Sequence, residues 1–270
     1  MAGPDDRFDS GGDEHGRSGL VTGKEIRILL TAVAVFIVLM IPVYLRMKED
    51  AMATICATNF NQIRIAMGLY LEVNNDRYPP AYAEDENRNP MMFDGKVVSW
   101  VTLLHENLGR RASFVCPASR PEEQVANVHP TDSQGVVMSS YGIYLPRAGR
   151  EQWRVDDPSR AVIVAETANG GARGSYNPLP LLAPDGSPRP DGIVVAWNKS
   201  NFDRPELDST AVTRLAFYNV ADGAFEENSP GRHPRGIHVL YAGGGLGFIR
   251  APDARLQRMG NEVIGLWTTR

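Results

Sequence analysis

The feature that most constrains this 270-residue chain is a run of 18 residues without a charge, residues 28–45. Arg27 precedes this run and Arg46 follows it. As an α-helix, 18 residues extend about 27 Å, which is close to the thickness of the hydrocarbon core of a bilayer. A buried helix of a soluble protein usually keeps a polar face, and this run has none. The run therefore predicts a single membrane span.

A cleaved secretory signal is the alternative interpretation of the same run. The apolar part of such a signal is typically shorter and is followed by a cleavage site of small residues, whereas Arg46-Met47-Lys48-Glu49 follows here. A membrane anchor is therefore favoured. The basic residues on the two sides, Lys24 and Arg27 against Arg46 and Lys48, nearly balance, so the charges alone leave the orientation open.

The apolar run continues into a second helical segment of a different character. Residues 46–75 keep apolar side chains at spacings of three and four, which is typical of a helix that lies on a domain by one face. Pro42 inside the first half predicts a kink. Asn74 and the later Pro79-Pro80 predict the end of the helix. The apolar stripe consists of Ala53, Cys56, Phe60, Ile63, Met67, Tyr70 and Leu71.

Composition divides the chain into four parts. Residues 1–20 are polar, Gly-rich and mostly acidic, so they predict a disordered tail. Residues 21–77 form the predicted helix, residues 78–250 form a head rich in glycine and proline, and residues 251–270 form a C-terminal extension. The net charge of −4 gives no basic surface for nucleic acid, so no nucleic-acid partner is expected.

Short patterns in the head predict an α+β fold with an antiparallel sheet. Residues 100–105 suit a short helix, and residues 139–144 alternate like a strand. Residues 161–165 are a continuous apolar run that is typical of a central strand. Residues 237–241 and 246–249 flank a glycine-rich turn and predict a β-hairpin.

The two cysteines, Cys56 and Cys116, are too few for a metal site built from Cys-x-x-Cys pairs. Two interpretations stay open. The cysteines are either two buried thiols or a disulfide that joins the long helix to the head in an oxidising compartment. The disulfide would close a loop of about 60 residues, for which the chain-entropy model gives on the order of 4 kcal/mol. We expect neither a metal site nor a cofactor.

Several short blocks occur in an order and spacing that resemble a known family. Cys56 lies fourteen residues after Pro42, and the same spacing places residues 21–25 at the start of the helix. Further blocks are Phe114-Val115-Cys116-Pro117, Ser140-Tyr141-Gly142, and Arg232-His233 followed after nine residues by Gly243-Gly244. Together they resemble the bacterial pilin-like family that has a prepilin-type N terminus and a signature of His, nine residues and Asp-Gly.

The chain departs from that family at two places. The family's helix opens with Phe-Thr-Leu-Ile-Glu after a glycine at which the leader is cut. Residues 21–25 begin with Val21, and two of the five, Thr22 and Glu25, match that opening. Leu20 holds the place of the glycine, and Gly19 is one residue too early. In the head, Gly243 stands in place of the signature Asp.

The resemblance implies a pilin-like, non-enzymatic structural protein of the bacterial inner membrane with an extracytoplasmic head. Its implied partners are the lipid bilayer and other pilin-like subunits or secretion machinery of the type II or type IV pilus kind. In pilins that assemble, a glutamate at the place of Glu25 pairs with the first amine of a neighbouring subunit. Lys24 and Arg27 lie beside Glu25 here, which favours a solvated position at the membrane interface.

Two further functions stay open. The first is a membrane-anchored module that binds a glycan or a peptide through loops 169–230, with Trp197 as a stacking platform. The second is a hydrolase that uses Glu166 or His233. A structural role is favoured for both residues, with Glu166 at the exposed end of a strand.

The histidines of the head do not form a recognisable catalytic pattern. His233 and His238 are five positions apart with Pro234 between them, so they cannot share a helix face as in a zincin. On a strand, residues five apart point to opposite faces. With Gly243 at the signature position, His233 also lacks a carboxylate partner from that place.

Overall fold

A computed structural model of the chain describes most of the helix and much of the head. The described residues are 23–83, 85–86, 91–93, 96–108, 113–128, 136–169, 193–194, 212–218, 229–254, 257–259 and 262–268. The predicted tail 1–20, residues Val21 and Thr22, Trp197 and most of loops 169–230 lie outside these residues. The chain forms two compact units, Met1–Met47 and Lys48–Arg270.

Helix α1, Gly23–Val73, is a single continuous helix that includes Pro42. Residues 28–45 are exposed along their whole length. Among the described residues, α1 is the one helix that is long and apolar enough to cross a membrane. The helix continues through Pro42, and the kink expected there stays a prediction.

The second half of α1 packs by one face, as the spacing of its apolar residues predicts. Asn75 and Asp76 follow the helix with φ angles of 54° and 57°, and the backbone N–H of Asp76 donates to the carbonyl of Leu71 at 3.0 Å. This left-handed turn ends the helix close to the predicted position. The buried residues of α1 are Cys56, Asn59, Phe60, Ile63, Ala66, Met67 and Leu71.

The head is built from a second helix and short strands. They are β1 (Met92–Phe93), β2 (Lys96–Val97), α2 (Trp100–Leu108), β3 (Val125–Val128), β4 (Val136–Ser139), β5 (Tyr141–Tyr144), β6 (Val162–Asn169), β7 (Ile193–Val194), β8 (Val212–Leu215), β9 (Ile237–Tyr241), β10 (Leu246–Ile249), β11 (Gln257–Met259) and β12 (Glu262–Ile264). The strands β10-β9-β6-β5-β7-β8 form an antiparallel sheet in that order, and β6 also pairs with β8. The described elements therefore belong to the α+β class.

Strand β6 is the centre of the sheet, as its apolar sequence predicts. Its first four residues, all apolar, are almost wholly buried, and its neighbours are β5 and β9. The predicted hairpin is confirmed as β9 and β10, and the predicted helix is α2. The strand predicted over residues 139–144 is divided, because the backbone N–H of Ser140 donates to the carbonyl of Phe114 at 2.9 Å instead of to a neighbouring strand.

The described part of the predicted C-terminal extension, residues 251–270, packs on the rest of the head. The Trp267 ring packs on Tyr144 with a centroid distance of 5.3 Å, and its Nε1–H donates to the carbonyl of Ala254 at 2.9 Å. Buried Arg147 donates to the carbonyls of Val162 and Thr268. This second core, beside the one under α1, needs the C-terminal residues to cover it.

Two substitutions on α1 test whether the helix packs by the face described. Phe60→Ala removes a ring that is 1% exposed and contacts Tyr141 at a centroid distance of 4.8 Å. We expect it to lower the free energy of unfolding by about 3–5 kcal/mol, because it leaves a cavity in the core. Ile65→Ala, at a position 51% exposed, is the control and should change it by less than about 0.5 kcal/mol. Pulse proteolysis of the full chain in detergent measures the free energy of unfolding of both variants. Equal losses for Phe60→Ala and Ile65→Ala would contradict the packing.

Candidate functional site

Four side chains that bind metals elsewhere in proteins converge inside the head. Cys56 comes from α1, Cys116 from the segment after α2, Glu166 from β6, and His233 from the turn before β9. One ligand atom of each lies within 4.8 Å of the others, and all four residues are buried. This set is called the buried cluster below.

The carboxylate of Glu166 is the centre of the buried cluster. Its Oε1 accepts a hydrogen bond from the thiol of Cys56 at 2.5 Å and lies 2.9 Å from Nε2 of His233. Its Oε2 accepts the backbone N–H of His238 at 3.0 Å. The expectation that Glu166 lies at an exposed strand end is wrong. Strand β6 continues to Asn169, and Glu166 is completely buried within it.

The structure has the two cysteines as buried free thiols, which is one of the two interpretations that the sequence left open, and not as a disulfide. Each sulfur has a polar neighbour of its own. Sγ of Cys56 lies beside Glu166 and 3.3 Å from the hydroxyl of Tyr141, and Sγ of Cys116 lies 3.5 Å from Nε2 of His233. The contacts of these two sulfurs connect the helix and the head at the buried cluster.

A tight turn brings His233 and His238 together, although strand geometry predicts that they point apart. The backbone of His233 exchanges hydrogen bonds with that of Gly236 at 3.1 and 3.2 Å, so the chain reverses between the two histidines. Their ring centroids are 4.8 Å apart. Gly236 is required here, because a Cβ at this position would lie 2.1 Å from the carbonyl oxygen of Ile249.

The carboxylate partner of His233 comes from β6 and not from the signature position. Gly243 lies in the turn between β9 and β10, where its N–H donates to the carbonyl of Pro158 at 2.6 Å. A Cβ on Gly243 would lie 3.1 Å from that carbonyl oxygen, so the turn leaves little space for a side chain. Gly244 has a φ of +82°, which suits glycine in a turn. Both glycines have structural roles.

Arg232 ties the strands around the cluster together. Its guanidinium donates to the carbonyls of Ser140 at 2.8 Å and Thr167 at 2.5 Å. It also pairs with Glu123 at 3.4 Å, and both side chains have no exposed surface. Glu123 accepts a further hydrogen bond from the hydroxyl of Tyr218 at 3.0 Å.

The contacts of the cluster shift the pKa values of its members. Burial alone would raise the pKa of Glu166, but hydrogen bonds from His233 and His238 outweigh it and hold this pKa below its usual range. Burial would likewise lower the pKa of His233, yet hydrogen bonds with Cys116 and Glu166 raise it to about 9. Hydrogen bonding with Cys56 lowers the pKa of Cys116 to about 6, whereas burial raises the pKa of Cys56. The cluster therefore favours charged Glu166, His233 and Cys116 beside a neutral Cys56.

A second layer of residues, which the sequence patterns did not identify as functional, orients Cys56. The side-chain N–H groups of Asn59 donate to the carbonyl of Val115 at 2.9 Å and to the hydroxyl of Tyr141 at 3.3 Å. The Tyr141 hydroxyl in turn faces Sγ of Cys56. Tyr141 occurs in the Ser140-Tyr141-Gly142 block that resembles the pilin-like family, and Asn59 lies three residues after Cys56 on the same helix.

A surface cleft of about 720 Å³ borders the cluster on the side of His233. Arg120, Pro121 and Tyr218 form part of its wall, and Glu49 and Met52 of α1 also line it. His233 also lines this cleft, although its side chain is only 2% exposed, so the cleft is next to a member of the buried cluster.

The prepilin-like residues are not part of this site. Glu25 is exposed in the first turn of α1. Gly19, Leu20, Val21 and Thr22 lie outside the described residues, so the cleavage region stays a prediction.

Removal of the Arg232 side chain tests its structural role. Arg232→Ala leaves Glu123 without its buried ion-pair partner and frees two carbonyls, so we expect a loss of about 3–5 kcal/mol in the free energy of unfolding. Arg154→Ala removes a pair with Glu151 in which the arginine side chain is 60% exposed, and should cost less than about 1 kcal/mol. Denaturant titration of the full chain in detergent measures the free energy of unfolding of both variants. A loss of under 1 kcal/mol for Arg232→Ala would contradict the assigned role.

Comparison with known proteins gives no match for this chain. No protein-family model matches it, and neither a curated protein nor a solved structure does. The resemblance to pilin-like proteins therefore rests on the short sequence blocks, and a function for the chain has to be inferred from its own residues and their geometry.

Proposed function

We propose that this chain is a single-pass, pilin-like structural protein of the bacterial cytoplasmic membrane, with its head on the extracytoplasmic side. Its role is non-enzymatic, in or derived from machinery of the type II secretion or type IV pilus kind. The observation that carries the proposal is the division of α1 into two halves. One half is apolar on every side and exposed, and the other half packs on the head by one face.

The exposed half of α1 needs an apolar environment. Large hydrophobic side chains such as Leu30, Phe36 and Leu39 are each more than 60% exposed. A continuous apolar surface of this size on a protein in water causes association, whereas in a bilayer it is solvated by lipid. The helical backbone satisfies its own hydrogen bonds, as a membrane span requires.

The continuity of the helix favours an anchor over a cleaved signal. The helix extends without a break from the apolar run through residues 46–52 to the packed face at Cys56. A signal sequence usually ends at a cleavage site of small residues, and Arg46-Met47-Lys48-Glu49 follow the apolar run here instead.

The burial of Glu166 and His233 supports a role without catalysis. Glu166 has no exposed surface, and His233 is 3% exposed. A hydrolytic acid or base has to come within hydrogen-bond distance of its substrate. Both groups instead make their contacts with the protein itself.

Membrane extraction tests the anchor. We expect the full chain to stay in the membrane pellet after washing with alkaline carbonate. The double variant Phe36→Arg/Ile37→Arg should shift most of the protein to the supernatant, because each arginine at the centre of a span costs about 2.5–3.5 kcal/mol. Ile65→Arg, on the exposed face of the second half of α1, is the control and should stay in the pellet. Release of the unchanged chain by carbonate would contradict the anchor.

Protease added to spheroplasts tests the orientation. We expect digestion of the head in intact spheroplasts, since the pilin-like orientation places it outside the cytoplasm. A cytoplasmic protein of the same cells is the control and should survive until lysis. A head that is cut only after lysis would contradict the proposed location.

Intact-mass measurement after co-expression with a prepilin peptidase tests the leader. We expect the full chain to keep its first 20 residues, because Leu20 replaces the glycine at which pilin-like leaders are cut. Leu20→Gly is the matched variant and should restore cleavage before Val21. Cleavage of the unchanged chain at this site would show a conventional subunit instead.

A further inference from the structure

We propose that Cys56, Cys116, Glu166 and His233 bind one Zn²⁺ ion inside the head. This site goes beyond the proposed anchoring role and does not depend on it. Two sulfurs, one imidazole nitrogen and one carboxylate oxygen form a ligand set that suits Zn²⁺, which accepts soft and hard donors alike. Mg²⁺ and Ca²⁺ prefer sites built from oxygen atoms, and this cluster offers one carboxylate.

The ligand atoms already lie close to the arrangement that Zn²⁺ requires. In a tetrahedral site with the usual bond lengths, ligand atoms are separated by about 3.3–3.8 Å. In the buried cluster, Sγ of Cys116 and Nε2 of His233 are 3.5 Å apart, and no pair exceeds 4.8 Å. The two short pairs, each to Oε1 of Glu166, are 2.5 and 2.9 Å apart. They would have to open by about 1 Å or less, which rotation of a glutamate side chain can supply.

The ligands are oriented by contacts with residues outside the cluster. Oε2 of Glu166 accepts the N–H of His238, which leaves Oε1 for the ion. The Tyr141 hydroxyl faces Cys56 and receives a hydrogen bond from Asn59, so it can donate to a thiolate at Sγ. Outer contacts of this kind are typical of metal sites and strengthen binding.

One ring nitrogen beside the cluster lacks a hydrogen bond. Nδ1 of His238 is buried and has no hydrogen-bond partner within the part of the chain that the structure describes. It lies 3.8 Å from Oε1 of Glu166. A buried polar atom without a partner is costly. The contacts of the chain alone therefore leave a polar group unsatisfied at the edge of the cluster.

Zn²⁺ would compensate the charges that its own binding creates. Loss of the protons from Cys56 and His233 would leave two thiolates and a carboxylate in a buried site, and Zn²⁺ offsets two of these three charges. The buried guanidinium of Arg232 acts on Glu166 in the same sense. Binding needs both sulfurs as thiolates and Nε2 of His233 without its proton. The displaced protons pass to solvent, and the affinity rises with pH.

A Cys56–Cys116 disulfide is the competing state. In an oxidising compartment two adjacent thiols form a disulfide unless burial or a ligand protects them. Zinc ligation protects both sulfurs at once and joins the helix to the head without oxidation. The two states exclude each other, so chemical analysis distinguishes them.

Metal titration of the full chain tests the site. The protein is purified in detergent with a reductant, stripped with a chelator, and titrated with Zn²⁺ and with Co²⁺ alone. We expect one ion per chain and, for Co²⁺, the visible absorption of a tetrahedral thiolate complex. Cys116→Ser and Glu166→Gln should each lower the affinity at least about 100-fold, since changes to outer contacts alone cost about 10–100-fold. Glu151→Gln, a surface carboxylate, is the control and should bind as the unchanged chain does.

A second measurement needs no variant and therefore survives a folding defect. X-ray absorption of the zinc-loaded, unchanged chain should show two sulfur ligands at about 2.3 Å and two nitrogen or oxygen ligands at about 2.0–2.1 Å. Three results would each overturn the proposal. They are failure of the stripped chain to bind one ion, a bound ion without sulfur ligands, and a chain from the native membrane that holds a Cys56–Cys116 disulfide and no zinc.

Discussion

The carboxylate of Glu166 is the group on which the interior of the head depends. It is buried in the central strand, and three separate segments supply the polar contacts that make this burial tolerable. Those segments are α1 through Cys56, the turn at His233, and the start of β9 through His238. Because a buried carboxylate cannot be left without partners, the helix, the turn and the hairpin have to assemble around it together. This requirement couples elements that are distant in sequence into one core.

The two halves of helix α1 have different surroundings in the structure. Its first half is apolar on every side and exposed, as expected of a candidate membrane span, and its second half is stabilised because Phe60, Ile63 and Met67 are buried in the head. The same helix also supplies a thiol to the buried cluster. The proposed anchor and the polar interior of the head would therefore be connected through one element, and the proposed zinc ion would strengthen that connection at Cys56.

The regular elements could be predicted from the sequence because their patterns are local. The apolar run, the stripe of α1, the strand after residue 161 and the glycine turn before β10 each follow from residue spacing alone. The packing of the C-terminal residues could not be predicted, because Trp267 lies in a short helical turn without periodicity and its burial depends on Tyr144 far away in the chain. The buried cluster could not be predicted for the same reason. Its members are far apart in sequence, and the rule that looks for neighbouring cysteines does not apply to them.

Gly236 carries no functional group, yet the position of His233 depends on it. A Cβ at this position would lie 2.1 Å from the carbonyl oxygen of Ile249, so there is no space for a larger residue. A side chain there would push the turn away from β10 and carry the imidazole away from Glu166. The geometry of the buried cluster therefore depends on a contact between two backbone segments. Among the residues around the cluster, we expect the least tolerance of substitution at Gly236.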